Sequence, residues 1–254
     1  MEMGTIYILQ CNMCSPSPWL SHVYAHLRHV FLAHSELPDL LPDIDTFRKS
    51  INGWVHVVPM YYLQCELEEG CLAADVESDN RHLLKFSTLS LNRGLADFHP
   101  FEPPDQWEFH QCHNHYHSHD TFAHYELLFP DGRTAAEGRK ASFCLEDSIC
   151  IETHRRYSGC QNYGQGISKD CGDLYSSRVS CQWIDITGVK GGNYVIQVTV
   201  SPGQEVPESD YENNQISCNI TLYERNGYYL PMVAEDACAR RGMQCVCERE
   251  RERE

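Results

Sequence analysis

Tyr194-Val195-Ile196-Gln197-Val198-Thr199-Val200 puts Tyr194, Ile196, Val198 and Val200 on one side and Gln197 and Thr199 on the other. A period of two is the mark of a half-buried β-strand. The same alternation sets Cys218, Ile220 and Leu222 against Asn219 and Thr221. Phe122 to Phe129 runs into Pro130-Asp131-Gly132, and a second strand-like run leaves that turn toward Phe143. Further turn clusters stand at Pro103-Pro104-Asp105, Gly191-Gly192-Asn193 and Ser201-Pro202-Gly203. Short alternating segments between frequent turns predict an all-β, β-sandwich-like domain with long loops and little helix. No internal repeat is evident.

The chain has 254 residues, 22% of them charged and 42% hydrophobic, which suits one globular domain with tails. No run of eighteen apolar residues exists, so no membrane span is expected. Twenty Lys+Arg against 36 Asp+Glu give a net charge of −16, which argues against a nucleic-acid partner and favours cationic ones. Fourteen cysteines point to a disulfide-stapled, secreted protein of the extracellular space. A cytosolic zinc protein would want paired C-x-x-C units, and Cys11-Asn12-Met13-Cys14 has no second pair nearby. Ile6-Tyr7-Ile8-Leu9 lacks the basic start and long apolar core of a signal peptide, so secretion implies a fragment or a displaced start.

Three parts are expected. Residues 1–36 are an atypical N-terminal extension, where Leu20, Val23, Tyr24, Leu27, Val30 and Phe31 recur at helical spacing. His22 and His26 on the other face of that helix read as a solvated polar stripe. Residues 37–225 are the folded domain. Residues 226–254 are a divergent C-terminal segment ending in the alternating-charge run Glu248 to Glu254.

Six of the fourteen histidines fall between His110 and His124. Alternate residues of a strand share a face, so His113, His115 and His117 can converge on one metal ion. A flat strand would spread them over roughly 13 Å, so the segment must curl or bulge around the ion. Imidazoles suit copper or zinc, and spacing alone does not separate the two. The bland alternative is a polar strand face.

The run from Trp107 through His110-Gln111-Cys112-His113-Asn114-His115-Tyr116-His117-Ser118 resembles the copper-binding signature of the lysyl oxidase family. The resemblance continues through Phe122 to Leu128, Ala136-Glu137-Gly138-Arg139-Lys140-Ala141-Ser142-Phe143-Cys144, Cys181-Gln182-Trp183-Ile184-Asp185 and Val206 to Asn214. It implies copper-dependent oxidation of protein lysine to aldehyde by dioxygen, with release of ammonia and hydrogen peroxide. Lysine-rich matrix proteins such as collagen or elastin are then the partners, cross-linked outside the cell. Carried over, the copper ligands are His113, His115 and His117. The lysyl tyrosylquinone cofactor joins Lys140 to Tyr175, which stands in Cys171-Gly172-Asp173-Leu174-Tyr175. An acid–base group is also needed near the substrate carbon, and Asp185, His124, Glu137 and Asp173 are candidates. His119 replaces a methionine and Arg139 a histidine that are common in the family.

Glu208-x-Asp210-x-x-Asn213-Asn214 gathers hard oxygen donors that suit calcium, although an ion-free Asx turn is the simpler reading of the residues alone. The resemblance implies a calcium ion there, completed by Asp39 and Leu40. It also implies the pairs Cys65–Cys112, Cys71–Cys181, Cys144–Cys160, Cys150–Cys171 and Cys218–Cys238, leaving Cys11, Cys14, Cys245 and Cys247. Asn219-Ile220-Thr221 is the one N-glycosylation triplet. Two rival readings stand beside the oxidase. One is a zinc-dependent hydrolase, which lacks an H-E-x-x-H helix and leaves Lys140 and Tyr175 without a role. The other is a catalytically silent, disulfide-rich binding module. Quinone staining separates the oxidase from both, and metal content separates those two from each other.

Overall fold

A computed structural model describes residues 9–10, 14–16, 36–51, 53, 55–74, 76–112, 114–118, 121–140, 144–151, 155–158, 164–241, 243–245 and 248–249. The N-terminal helix expected around residues 20–31 lies outside the described residues. In chain order the strands are β1 (Leu9–Gln10), β2 (Cys14–Pro16), β3 (Leu40–Pro42), β4 (His56–Pro59), β5 (Asn80–Lys85) and β6 (Thr88–Asn92). They continue as β7 (Glu108–His110), β8 (His115–His117), β9 (Ala123–Leu128), β10 (Thr134–Lys140), β11 (Ile149–Cys150) and β12 (Cys171–Tyr175). The last are β13 (Trp183–Asp185), β14 (Gly192–Val200), β15 (Gln215–Arg225), β16 (Tyr228–Met232), β17 (Cys238–Arg240), β18 (Met243–Cys245) and β19 (Glu248–Arg249). Two short helices, α1 (Ile44–Ser50) and α2 (Gln64–Glu68), complete the described regular structure apart from single 3-10 turns.

The chain forms two compact units. The smaller, residues 1–34 with 242–254, contains the antiparallel pairs β1–β19 and β2–β18, the latter with Cys14 opposite Cys245 in register. The larger, Ser35–Arg241, contains everything else.

The central sheet of the larger unit runs β10-β9-β14-β15-β16, with β17 also pairing β15. Tyr194, Ile196, Val198 and Val200 are buried on one face of β14, and Cys218, Ile220 and Leu222 on one face of β15, as their alternation predicts. Asp131 fixes the β9–β10 turn by accepting from the Arg133 N–H, and Gly132 supplies the left-handed φ of +86° that closes it. A second sheet runs β11-β12-β6-β3 and a third β13-β5-β4. One buried cluster draws Tyr125 and Ile196 from the central sheet, Leu40 and Tyr175 from the second, and Leu84 and Ile184 from the third. The domain is therefore all-β and layered around one main core, with a smaller cluster of Leu63, Leu72, Leu83 and Trp183 beside it.

Between described residues, four disulfides staple the unit: Cys65–Cys112, Cys71–Cys181, Cys150–Cys171 and Cys218–Cys238. All four agree with the pairing that the resemblance implied. Cys144 is also disulfide-bonded. Cys160, its expected partner, lies outside the described residues. Cys150–Cys171 and Cys218–Cys238 each join two paired strands, β11 to β12 and β15 to β17, while Cys65–Cys112 and Cys71–Cys181 tie down α2 and the long connections around it.

Candidate active site and metal centres

The histidine segment folds as a small hairpin of β7 and β8. Its register pairs Glu108 with His117, Phe109 with Tyr116 and His110 with His115. Phe109 and Tyr116 meet edge to face at 5.2 Å, so the two aromatic residues share one side and the histidines take the other. His110 stacks on His117 with ring centroids 4.6 Å apart, and His115 lies 5.1 Å from His117. The Nε2 atoms of His115 and His117 and Nδ1 of His110 are buried. His113 lies outside the described residues, as does His119. Asn114 adopts a left-handed φ of +57° and its N–H returns to the His110 carbonyl at 2.8 Å. Three imidazoles on one flat strand are therefore not what the backbone provides: β8 begins only after this turn.

Sequence reading missed Glu69. Its side chain is only 5% exposed, and Oε1 lies 3.3 Å from His110 Nδ1. Glu69 follows α2 between two disulfides. Cys65 ties the helix to Cys112, at the edge of the histidine segment, and Cys71 ties its far side to Cys181. The carboxylate is thus clamped behind the hairpin. In sequence it is one of several acids among Glu66, Glu68 and Glu69, and nothing local distinguishes it. Glu69 with Cys71 and Cys181 also makes a compact donor cluster, but both sulfurs are spent in a disulfide.

Tyr175 ends β12 and is buried in the core. Its hydroxyl lies 2.6 Å from Asp173 Oδ2 and 2.8 Å from the Cys144 carbonyl oxygen. One hydroxyl proton serves one acceptor at a time, and an ionised Asp173 is the stronger acceptor. When Asp173 is protonated, the phenol can turn its proton to Cys144 instead. Asp173 also accepts from the Glu146 N–H at 3.1 Å and the Ser148 hydroxyl at 2.8 Å. Burial pushes the Asp173 carboxyl up to about 7, against the opposing pull of those hydrogen bonds. Burial, then the neighbouring Asp173 charge, holds the Tyr175 phenol well above its ordinary range.

Lys140 ends β10, with its backbone paired to Ala123 of β9. Lys140 and Tyr175 therefore belong to different sheets. Phe122 precedes Ala123, and its ring lies 6.4 Å from that of Tyr175, so the ends of the two strands approach the same corner of the core.

His124, Glu137 and Asp185 line one cleft of about 940 Å³, together with Thr121, Gly138 and Thr187. His124 sits between two acids, 3.7 Å from Glu137 and 3.9 Å from Glu126. Asp185 is fully committed. Its Oδ2 accepts from Arg81 Nη1 at 3.0 Å and from the Ala73 N–H, while Oδ1 accepts from the Thr187 N–H and hydroxyl. With both side chains buried, that is a structural ion pair rather than an acid–base group.

In the acidic loop, Glu208 Oε2 accepts from the Leu40 N–H at 2.6 Å and Oε1 from Asn214 Nδ2 at 3.2 Å. Asn213 Nδ2 donates to Asp39 Oδ1 at 3.0 Å, and Asp210 accepts from the Glu212 N–H. Burial pushes Glu208 up to about 7, with the Asp39 charge adding to it. Asp39 is raised by burial and by Asp210, and lowered by Asn213 and Arg240. Asn213 Oδ1 and Asn214 Oδ1 are buried without a hydrogen-bond partner. Two stranded carbonyl oxygens beside three carboxylates form a donor set that a hard cation fits.

A disulfide-stapled all-β unit with a histidine-faced hairpin, a buried tyrosine–aspartate pair and an oxygen-rich loop defines the class. Residues 38–230 match the family model described as Lysyl oxidase, and the chain belongs to the lysyl oxidase family. It is 47% identical over 199 residues to the protein-lysine 6-oxidase of Sus scrofa, covering 76% of this chain and 79% of that protein. The protein-lysine 6-oxidase of Homo sapiens is 46% identical over the same length, with 76% of this chain and 47% of that protein covered. Lysyl oxidase homolog 3 of Homo sapiens is 50% identical over 167 residues, 63% of this chain and 22% of that protein. The chain spans about half the length of the human and Gallus gallus protein-lysine 6-oxidases.

Proposed function

We propose that this chain is a copper-dependent amine oxidase that converts protein lysine to aldehyde with release of ammonia and hydrogen peroxide, acting outside the cell on lysine-rich matrix proteins such as collagen or elastin. The observation that carries the reading is the imidazole face of the β7–β8 hairpin in a chain of this family. His115 and His117 supply buried nitrogen donors of the kind copper takes, with His113 as the third. Copper, with a quinone derived from Lys140 and Tyr175, would supply the electrophilic carbonyl and the reoxidation by dioxygen that ordinary side chains lack.

The chain's own residues do the rest. Glu69 holds His110, and His110 stacks against His117, so ring orientation is set from behind. Asp173 accepts the Tyr175 proton at 2.6 Å and is positioned by Glu146 and Ser148. The core around Tyr175 keeps water from the phenol. His124 and Glu137 face a cleft open to solvent and are placed to exchange protons with a bound amine. Glu137 at the cleft and the net charge of −16 favour a cationic side chain.

Titration of the copper-loaded protein with phenylhydrazine tests this reading. A stoichiometric coloured adduct, with peroxide made from amines, is expected. Stoichiometric zinc with peptidase activity and no adduct would favour the hydrolase, and a folded protein with neither would favour a silent module.

The acidic loop is read as a calcium site held by Asp39, Glu208, Asp210, Asn213, Asn214 and the Leu40 main chain, supported by the two stranded asparagine oxygens. Chelation should lower the melting temperature and calcium should restore it. Asn213→Ala should abolish the response.

A further inference from the structure

The outer face of the central sheet carries a groove of about 640 Å³ beside the β14–β15 pair. Val195, Tyr223, Met232 and Val233 line it, with Tyr223 58% and Met232 53% exposed. Tyr223 and Met232 thus give one wall an apolar contact surface between polar neighbours. Asn219 opens onto the same groove. It is exposed while its neighbours Cys218 and Ile220 are buried, so the triplet Asn219-Ile220-Thr221 presents its acceptor outward from a regular strand. Thr221 Oγ1 donates to Asn193 Oδ1 at 2.8 Å, which fixes the third residue of the triplet on the same wall.

We propose that Asn219 carries an N-linked oligosaccharide and that its first sugars lie in this groove. In the transfer, Asn219 Nδ2 displaces a polyprenyl diphosphate from C1 of the donor sugar. The N–C1 bond forms, the C1–O bond breaks, the diphosphate leaves with the electron pair, and the amide nitrogen gives up one proton. Sugar rings present C–H faces to an aromatic wall and hydroxyls to amides and carboxylates. Tyr223 offers the first, and Asn193 and Asp236 the second.

The proposal rests on the secreted reading, and the test separates the two. The whole chain is expressed behind a heterologous signal peptide in secreting eukaryotic cells, and the protein from the medium is mapped by mass spectrometry before and after enzymatic removal of N-glycans. Wild type should fall in mass on deglycosylation, with aspartate appearing at position 219. Asn219→Gln should lose the shift, and Thr221→Ser, which keeps the triplet, should retain it. Deglycosylated wild type should bind more of an apolar fluorescent dye than the glycosylated form. A chain that is delivered to the secretory pathway and is retained there misfolded, with its cysteines free, overturns both readings. One secreted with Asn219 unmodified overturns the glycan alone. A modified chain whose dye binding does not change on deglycosylation overturns its seat in the groove.

Discussion

Burial raises the Asp173 carboxyl from an ordinary 3.8 to about 7, so the folded chain keeps a proton there that the unfolded chain has already lost. Between those values folding takes up a proton, and stability falls as pH rises through the window. One proton changes stability by at most about 1.4 kcal/mol per pH unit. Asp173→Asn should remove that slope while keeping the shape. Denaturant melts at pH 5 and pH 7 should show wild type losing more stability than the variant; equal losses would contradict the assignment. Glu69 is the other residue whose role lies in what it holds. Glu69→Gln keeps the volume but weakens the grip on His110. Direct outer partners of metal-bound histidines are typically worth 10–100-fold in affinity, and Glu69 acts one contact further out, through His110 stacked on His117. Copper titration of the variant should show a loss no larger than about 10-fold, with an altered copper spectrum and an unchanged fold. Unaltered affinity would leave Glu69 as a structural acid only.

Gly138 lets β10 lie against β13. A Cβ there would fall 2.6 Å from the Trp183 carbonyl oxygen, backbone against backbone. Gly138→Ala must push the strands apart, at a cost of about 1–3 kcal/mol by the measure of overpacked cores. Lys140 is two residues further along the same strand, so cofactor yield should fall even where the variant stays folded. Melting temperature and phenylhydrazine-reactive content, measured together, check both. The strand character of β14 and β15 was legible in the sequence because apolar residues recur every second position against a solvated face. The β9–β10 hairpin was legible because Pro130-Asp131-Gly132 specifies its turn. The hairpin of β7 and β8 was not: histidine alternation suggests one strand through His113, and only the left-handed Asn114 shows where β8 begins. Contacts between distant elements left no local pattern either. Arg81 pairs with Asp185 and Glu69 with His110 across long stretches of chain, and no periodicity in either segment announces a partner. The metal-site and quinone residues were legible only through whole motifs, since a lone Lys140 or Tyr175 reads as an ordinary lysine or loop aromatic.

Across the whole molecule, three sheets meet in one core and disulfides fix the loops that carry the chemistry. The net charge of −16 should steer a lysine-rich substrate toward the chain. The second-order rate constant on such a substrate should therefore fall as ionic strength rises, because charges beyond about 10 Å are screened at 0.1 M salt. A salt-independent rate would remove long-range steering and leave the oxidase reading intact. Strand β10 of the central sheet and β12 of the second sheet approach each other at one corner through Phe122. If Lys140 and Tyr175 form the cofactor, a covalent bond joins those two sheets in the mature protein. Lys140→Arg and Tyr175→Phe should each fold, bind copper and make no peroxide, because guanidinium stays protonated and cannot add to a ring. The most direct measurement is peptide mapping by mass spectrometry of the active, copper-loaded wild type. One cross-linked peptide containing both Lys140 and Tyr175 is expected. Active enzyme that yields the two residues in separate, unmodified peptides would contradict it.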